Sequence, residues 1–261
     1  MTDLILLTVA VGVLGIGIGG VLGVFFGGRS VKNEAILLSF SAGTMIALVC
    51  FELLAEAGET GGIFLSAAAA LSGAACVTWL DYIVDRKTEH KNDFITCEDC
   101  AHKKTSSLQL FVAGVVMALA VAIHNIPEGM SVGAIYVEEG GIGSGLIVLA
   151  IGIVLHNIPE GIAVTVPLIT SGMRGGRAVA VAALSGVPTV IGAVMGYVIG
   201  DMGPLGLTLS LGFAAGSLLY VVFGEVLPQS INLYCSRKTA FAAIAGIAVG
   251  MIILGGHAHI H

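Results

Sequence analysis

The chain has 261 residues, of which 56% are hydrophobic and only 11% are charged. About a quarter of the residues in a soluble domain are charged, so this composition excludes an ordinary soluble protein and indicates one embedded in a lipid bilayer. The formal net charge is −6 and the basic residues form no stripe, which excludes a nucleic acid partner.

Apolar stretches alternate with short charged or Gly/Pro-rich breaks along the whole chain. About 20 apolar residues cross the hydrocarbon core of a bilayer, so the pattern predicts eight transmembrane helices. The stretches are too long for barrel strands and do not alternate, which excludes a membrane β-barrel. We therefore predict an all-α integral membrane protein with a single domain over residues 1–261. The predicted helices, numbered 1 to 8, cover about 4–27, 34–57, 62–84, 108–136, 142–170, 177–200, 204–228 and 239–256.

The basic residues predict the orientation of these helices. All 11 lie in alternate loops, which by the positive-inside rule face the cytoplasm. Both termini are then outside the cytoplasm, and residues 85–107 form a long cytoplasmic loop. The region after Met1 has no features of a cleaved signal peptide, so we expect helix 1 to remain. The sequence thus predicts a multi-pass protein of the cell (inner or plasma) membrane. The basic residues are Arg29, Lys32, Arg86, Lys87, Lys91, Lys103, Lys104, Arg174, Arg177, Arg237 and Lys238.

Helices 2 and 7 carry a weak sequence similarity. The stretch "FSAGTMIALVCFE" begins at Phe40 and "FAAGSLLYVVFGE" begins at Phe213, and each has a glycine at its fourth position and a glutamate at its last. By the predicted topology the two helices run in opposite directions. The similarity therefore predicts an inverted repeat, an arrangement found in transporters with a binding site near the bilayer midplane.

The six residues His-Asn-Ile-Pro-Glu-Gly occur in helix 4 and again in helix 5, 32 residues later. Both motifs lie near the predicted bilayer centre, where ionisable groups cost several kcal/mol unless they are paired, hydrated or bound to something. Histidine and glutamate are four residues apart in each motif and so share a helix face. The motif residues are His124, Asn125, Pro127 and Glu128 in helix 4, and His156, Asn157, Pro159 and Glu160 in helix 5.

The prolines extend the set of potential ligands. Neither Pro127 nor Pro159 can donate an amide hydrogen bond, so each is predicted to kink its helix and to free the carbonyl four residues earlier. Such irregular backbone is tolerated where it lines a polar cavity. Two imidazoles and two carboxylates, with amide oxygens nearby, suit a divalent transition metal ion, zinc first and then iron(II), manganese or cadmium.

Other interpretations of the repeated motif remain open from the residues alone. Each His-Glu pair could be a structural hydrogen bond, or the groups could relay protons without a metal. A bound metal could also serve a membrane metallohydrolase or a sensor without ion flux. The sequence contains no H-E-x-x-H motif and no soluble catalytic domain, so we do not expect an enzyme, and no organic cofactor is expected.

With these motifs the chain resembles the ZIP (Zrt/Irt-like protein) family of divalent metal transporters, and most closely its compact prokaryotic GufA-like branch. The resemblance covers essentially the whole chain, with eight helices, outward termini and a long cytoplasmic loop. It implies transport of a divalent metal toward the cytoplasm and the formation of a homodimer. By position, it implies the metal ligands His124, Asn125, Glu128, His156, Asn157 and Glu160.

One position departs from the family pattern. Members with two adjacent metal sites commonly have a glutamate before a proline in helix 6, whereas here Val187 precedes Pro188. Some relatives also have aspartate in place of Asn157. Because both differences remove negative charge, we predict one strong metal site and a second that is weak or absent.

Further candidate residues lie toward the two membrane surfaces. Glu52 and Glu56 in helix 2 are candidates for the metal entrance, and Glu225 in helix 7 is a candidate for the exit. Their alternative role is that of ordinary polar groups at helix ends. The cytoplasmic loop has a C-x-x-C-x-H sequence, a pattern more often metal-binding or redox-active than disulfide-bonded in a reducing compartment. Its candidate ligands are His90, Cys97, Cys100 and His102.

Overall fold

The computed structural model describes residues 1–26, 31–88 and 107–258. Within these residues all regular secondary structure is helical. Eight of the helical segments are long and apolar enough to cross a bilayer. The predicted all-α class and the predicted number of membrane spans are therefore confirmed for the part of the chain that is described.

We number the eight membrane helices α1 to α8. Four are single helices, one consists of two helices separated by a short break, and three contain a turn of π-helix. Their bounds are Thr2–Thr8, Val9–Leu14 and Gly15–Phe26 (α1); Val31–Leu48, Val49–Leu53 and Leu54–Gly61 (α2); Ile63–Thr88 (α3); Ser107–Glu138 (α4); Ser144–Thr170 (α5); Gly175–Ser185 and Pro188–Gly200 (α6); Pro204–Val221, Val222–Val226 and Leu227–Leu233 (α7); and Arg237–Ala258 (α8).

Helices α2 and α8 touch through their backbones. A Cβ atom at Gly43 would overlap the carbonyl oxygen of Ala243, and one at Gly246 would overlap the carbonyl oxygen of Phe40. Small residues allow membrane helices to approach this closely. The two glycines therefore hold α2 and α8 together as a pair.

Helices α3 and α7 make the same reciprocal contact, between Gly73 and the carbonyl of Phe213 and between Gly216 and the carbonyl of Ala70. Every residue of one contact lies 173 positions from its counterpart in the other. Since α2 and α7 run in opposite directions, the predicted inverted repeat is confirmed. The corresponding residues are Phe40 and Phe213, Gly43 and Gly216, Ala70 and Ala243, and Gly73 and Gly246.

The remaining four helices form two further pairs, α1 with α5 and α4 with α6, which are related to each other by the same symmetry. In each pair a glycine of one helix meets a carbonyl of the other, and the reverse. The contacts join Gly19 to Ile158 and Gly161 to Ile16 in the first pair, and Gly192 to Ile126 and Gly129 to Thr189 in the second. Helices α4 and α5 also pack against each other, at the centre of the bundle.

The π-helical turns follow the repeat. Val49–Leu53 in α2 and Val222–Val226 in α7 are 173 positions apart, and Glu52 and Glu225 each occupy the fourth position of their turn. A π-helical turn is uncommon and frequently marks a functional site. The repeat therefore places one carboxylate at equivalent points of two oppositely directed helices.

Candidate metal centre

Helices α4 and α5 position the two repeated motifs. They are joined by five residues, 139–143, so they are antiparallel neighbours, and both motifs lie about halfway along their helices. Pro127 and Pro159 lie inside these helices and leave the carbonyls of Ile123 and Leu155 without the usual amide donor. The motif residues thus meet where the helical backbone already has free acceptors.

The histidine of each motif pairs with the glutamate of the other. Nε2 of His156 lies 2.7 Å from Oε1 of Glu128, and Nε2 of His124 lies 3.2 Å from Oε1 of Glu160. None of the four side chains is more than 3% exposed. Both pairs therefore link α4 to α5 in the interior of the bundle.

The four side chains converge on one small volume. The ligand atoms of His124, Glu128 and Glu160 all lie within 4.8 Å of one another, and His156 joins them through Glu128. Oε2 of Glu128 and Oε2 of Glu160 are buried without a hydrogen-bond partner, and Oε1 of Glu160 has only its 3.2 Å contact with His124. A cation bound between them would satisfy these oxygens, which are otherwise costly to bury.

The chemistry of this donor set suits zinc. Zinc takes imidazole nitrogen and carboxylate oxygen, commonly in four-coordinate sites, and two carboxylates formally neutralise its charge. Calcium and magnesium prefer sites made of oxygen alone. The set is also compatible with the other first-row divalent ions that accept imidazole.

The two asparagines contact neighbouring helices. Nδ2 of Asn125 donates to the carbonyl of Ser185, 2.9 Å away, where α6 is broken, and Nδ2 of Asn157 donates to the carbonyl of Val11, 3.1 Å away, in the π-helical turn of α1. In both residues Oδ1 is buried without a partner. The amide nitrogens thus hold α4 to α6 and α5 to α1, and the amide oxygens stay free to accept a bond.

Val187 lies in the break of α6, two residues after the carbonyl that Asn125 contacts. Its side chain is 41% exposed and apolar. The break therefore supplies no carboxylate, and one strong metal site with a second that is weak or absent stays a prediction.

Four carboxylates lie toward the end of the bundle that contains the loop between α4 and α5. Glu138 lies close enough to Glu56, Glu139 and Glu52 for their charges to act on it. Glu52 and Glu56 were predicted from the sequence as candidates, whereas Glu138 and Glu139 were not. The signal was present in "VEEGGIGSG", an acidic pair at a helix end in a loop without basic residues.

Glu139 also fixes the start of α5. Its carboxylate oxygens accept hydrogen bonds from the backbone amides of Gly145 and Leu146, at 2.8 and 3.0 Å. A carboxylate at a helix N-terminus satisfies free amides and interacts favourably with the helix dipole. The helix that carries His156 and Glu160 is therefore anchored at its beginning.

Two further predicted groups have different outcomes. Glu225 lies close enough to His124 for their charges to interact, and its role at the exit stays a prediction. The loop residues His90, Cys97, Cys100 and His102 lie outside the described residues, so their proposed metal binding stays a prediction.

Comparison with known proteins gives consistent matches. Residues 83–258 match the family model described as Zip, ZIP Zinc transporter. The chain is 31% identical to the zinc transporter ZupT of Corynebacterium efficiens over 92% of both chains, and 31% identical to the ZupT of Akkermansia muciniphila over 95% of both. The ZupT of Corynebacterium glutamicum is 32% identical, over 92% of this chain and 94% of the relative.

Proposed function

We propose that this chain, which belongs to the ZIP family of zinc transporters, carries zinc across the membrane through the buried site formed by His124, Glu128, His156 and Glu160. Members of this family are transporters and not enzymes. The observation that carries the proposal is the crossed pairing of two histidines and two glutamates between α4 and α5. The oxygens of Asn125 and Asn157 are further ligands within the same motifs.

The proposed substrate is a divalent transition metal ion, with zinc preferred and iron(II), manganese and cadmium as further candidates. The relatives named above are zinc transporters, and the two-imidazole, two-carboxylate set is one that zinc favours. The ion is the cargo of the protein, and its release requires that the ligands exchange it for protons or for other ligands.

The proposed route runs from the carboxylates of Glu52, Glu56 and Glu138, past the central site, to Glu225 and the cytoplasm. The basic loops orient the bundle in the cell membrane with both termini outside. A negative membrane potential would then favour inward flow by about 2.3 kcal/mol per charge per 100 mV. Glu52 and Glu225, at equivalent positions of the repeat, are the proposed carboxylates on either side of the site.

The four helix pairs suggest which parts move. Pairs α1 with α5 and α4 with α6 contain the metal ligands, and pairs α2 with α8 and α3 with α7 contain Glu52 and Glu225. We propose that the second group moves against the first during transport, in the manner of other inverted repeats. The Oγ of Ser41 on α2 donates to the carbonyl of His156 and is one contact that such a motion would break.

Metal uptake into proteoliposomes tests this proposal. The full chain is reconstituted around a metal-sensitive dye and exposed to zinc, iron(II), manganese, cadmium or magnesium. We expect rapid zinc entry and none of magnesium, with zinc entry lost on Glu160→Ala and kept on Glu59→Gln, whose side chain is exposed at the end of α2. Zinc binding without entry would point to a sensor and contradict the proposal, as would full entry in Glu160→Ala. The same proteoliposomes allow chemical cross-linking to test the homodimer implied by the family.

Replacing Val187 with Glu should create a second bound metal ion. The new carboxylate would stand in the break of α6, two residues after the carbonyl that Asn125 contacts, at the position where the family pattern has a glutamate. We expect the zinc content of the purified protein, measured by elemental analysis, to rise from about one ion per chain to about two. Ile191→Glu adds the same charge one turn further along α6, outside the break, and should leave the content unchanged. A folded Val187→Glu protein with unchanged zinc content would refute the prediction.

A further inference from the structure

A groove of about 780 Å³ lies between α2 and α8 on the outer surface of the bundle. Its walls are apolar, and Arg237 and Lys238 stand at one end. It ends at Phe40 and Ala245, next to the backbone contact of Gly43 and Gly246 that holds the two helices together. The lining residues are Ile36, Leu37, Phe40, Arg237, Lys238, Phe241, Ala242 and Ala245.

A third cation belongs to the same end of the groove. Lys32 lies four and eight residues before Ile36 and Phe40 on α2, and therefore on the same helix face. Its Nζ lies 5.7 Å from the centre of the Tyr234 ring, just before α8 begins. Lys32, Arg237 and Lys238 are exposed, and within the described residues neither Arg237 nor Lys238 has a carboxylate partner.

The dimensions of the groove correspond to one leaflet of a bilayer. Eight residues separate Lys32 from Phe40 and Arg237 from Ala245, or about 12 Å of helix at 1.5 Å per residue. Half of the hydrocarbon core of a bilayer is about 15 Å thick. By the positive-inside rule the charged end faces the cytoplasm. The groove thus has cations at the headgroup level and an apolar surface one leaflet deep. These features suit the phosphate and the acyl chains of a lipid.

The internal repeat provides a comparison within the same chain. The equivalent surface in the other leaflet lies between α3 and α7, 173 positions away. On that surface apolar residues replace the three cations of the groove. Leu205 corresponds to Lys32, Phe64 to Arg237 and Leu65 to Lys238. The packing of the helix pair therefore does not require the cations, since the pair forms equally well without them.

We propose that this groove binds an anionic phospholipid of the cytoplasmic leaflet, with its phosphate at Lys32, Arg237 and Lys238 and its acyl chains along Phe40 and Phe241. Basic pockets between membrane helices on the cytoplasmic side are suited to anionic headgroups. The lipid would pack against both members of the α2 and α8 pair, and α2 carries Glu52 and the Ser41 contact with α5. This proposal is independent of which metal is transported.

Native mass spectrometry of the full chain in detergent micelles tests the proposal, with phosphatidylglycerol and phosphatidylcholine as probes. We expect preferential binding of phosphatidylglycerol. Arg237→Gln with Lys238→Gln should lower its affinity by about fivefold per cation removed, at about 1 kcal/mol per basic residue near the headgroups. The matched control is Arg174→Gln with Arg177→Gln, which removes two exposed cations at the start of α6, predicted to lie on the same face, and should leave the affinity unchanged.

A second variant separates groove binding from surface attraction. Ala245→Phe fills part of the groove without changing any charge and should also weaken phosphatidylglycerol binding. The melting temperature of the variant checks that it is folded. Equal losses in the two double variants, equal affinity for phosphatidylcholine, or unchanged binding to Ala245→Phe would each overturn the proposal. The proposal would also be overturned if Ala245→Phe dissociated a dimer without affecting lipid binding, because a second copy of this chain would then occupy this face.

Discussion

Replacing Glu128 with Gln should reduce zinc uptake into proteoliposomes more than about 100-fold while leaving the metal-free protein folded. Glu128 is fully buried, hydrogen bonds to His156 and lies within the cluster formed with His124 and Glu160. Loss of a group that only orients a metal ligand costs about 10- to 100-fold, so loss of a charged ligand should cost more. The measurement is the initial rate of zinc entry at a fixed amount of inserted protein.

The metal-free protein should respond differently from the loaded one. Removing one partner of a buried ion pair is destabilising where the other charge remains, but glutamine has nearly the same shape and its amide oxygen can accept the hydrogen bond from the neutral form of His156. We therefore expect a melting temperature close to that of the wild type without metal. Zinc at 100 times its dissociation constant should stabilise the wild type by about 2.7 kcal/mol and Glu128→Gln hardly at all.

Glu59→Gln is the matched control, because it removes a glutamate charge at an exposed position of α2. It should retain both zinc uptake and zinc-dependent stabilisation. Wild-type uptake by Glu128→Gln would remove Glu128 from the site. Collapse of the metal-free variant would instead show that the carboxylate is needed for folding, and the interpretation as a metal ligand would lose its support.

The repeated motif allowed the main residues of the site to be predicted from sequence, but not their pairing. Residues four apart on one helix are neighbours, so the spacing of His124 and Glu128 is equally compatible with a bond within the motif. In the structure each histidine pairs with the glutamate of the other helix. That choice depends on the separation and rotation of α4 and α5, which neither motif encodes by itself.

The asparagines illustrate a second limit. Their position beside each histidine is visible in the sequence, and the resemblance implies that they are ligands. Their amide nitrogens bond to carbonyls of Ser185 and Val11, which lie 60 and 146 residues away. These carbonyls are accessible because α6 is broken and α1 has a π-helical turn at those points. Pro188 marks the break of α6 in the sequence, whereas no local pattern predicts the π-helical turn of α1.

The inverted repeat was detectable only faintly from sequence, since five matching residues out of 13 in Gly-, Ala- and Leu-rich helices are weak evidence. The structure explains why the glycines of one half of the repeat recur 173 positions later in the other half. Each one faces a carbonyl oxygen of its partner helix, so the side chain is excluded by the backbone of a neighbour. The constraint is a contact between distant segments, and its regularity appears once both members of each pair are known.

Replacing Gly216 with Ala should destabilise the protein by about 3 kcal/mol or more, the upper end of the range for overpacking. The added methyl group would overlap the carbonyl oxygen of Ala70, and a backbone oxygen can move only if α3 and α7 shift apart. At about 2–4 °C per kcal/mol the melting temperature should fall by roughly 10 °C. The measurement is thermal unfolding of the full chain in detergent.

The repeat sharpens this prediction by supplying an equivalent site and a contrasting one. Gly43→Ala places its methyl group against Ala243 in the symmetry-related contact, so the two losses should be similar. At Gly176, in the first turn of α6, a methyl group would meet nothing within 4 Å. Gly176→Ala should therefore be neutral or stabilising, by about 0.4–1 kcal/mol through a less flexible unfolded chain. If Gly216→Ala and Gly43→Ala melted no lower than Gly176→Ala, close backbone contact would not be what joins these helix pairs, and the structural basis of the repeat would have to be sought elsewhere.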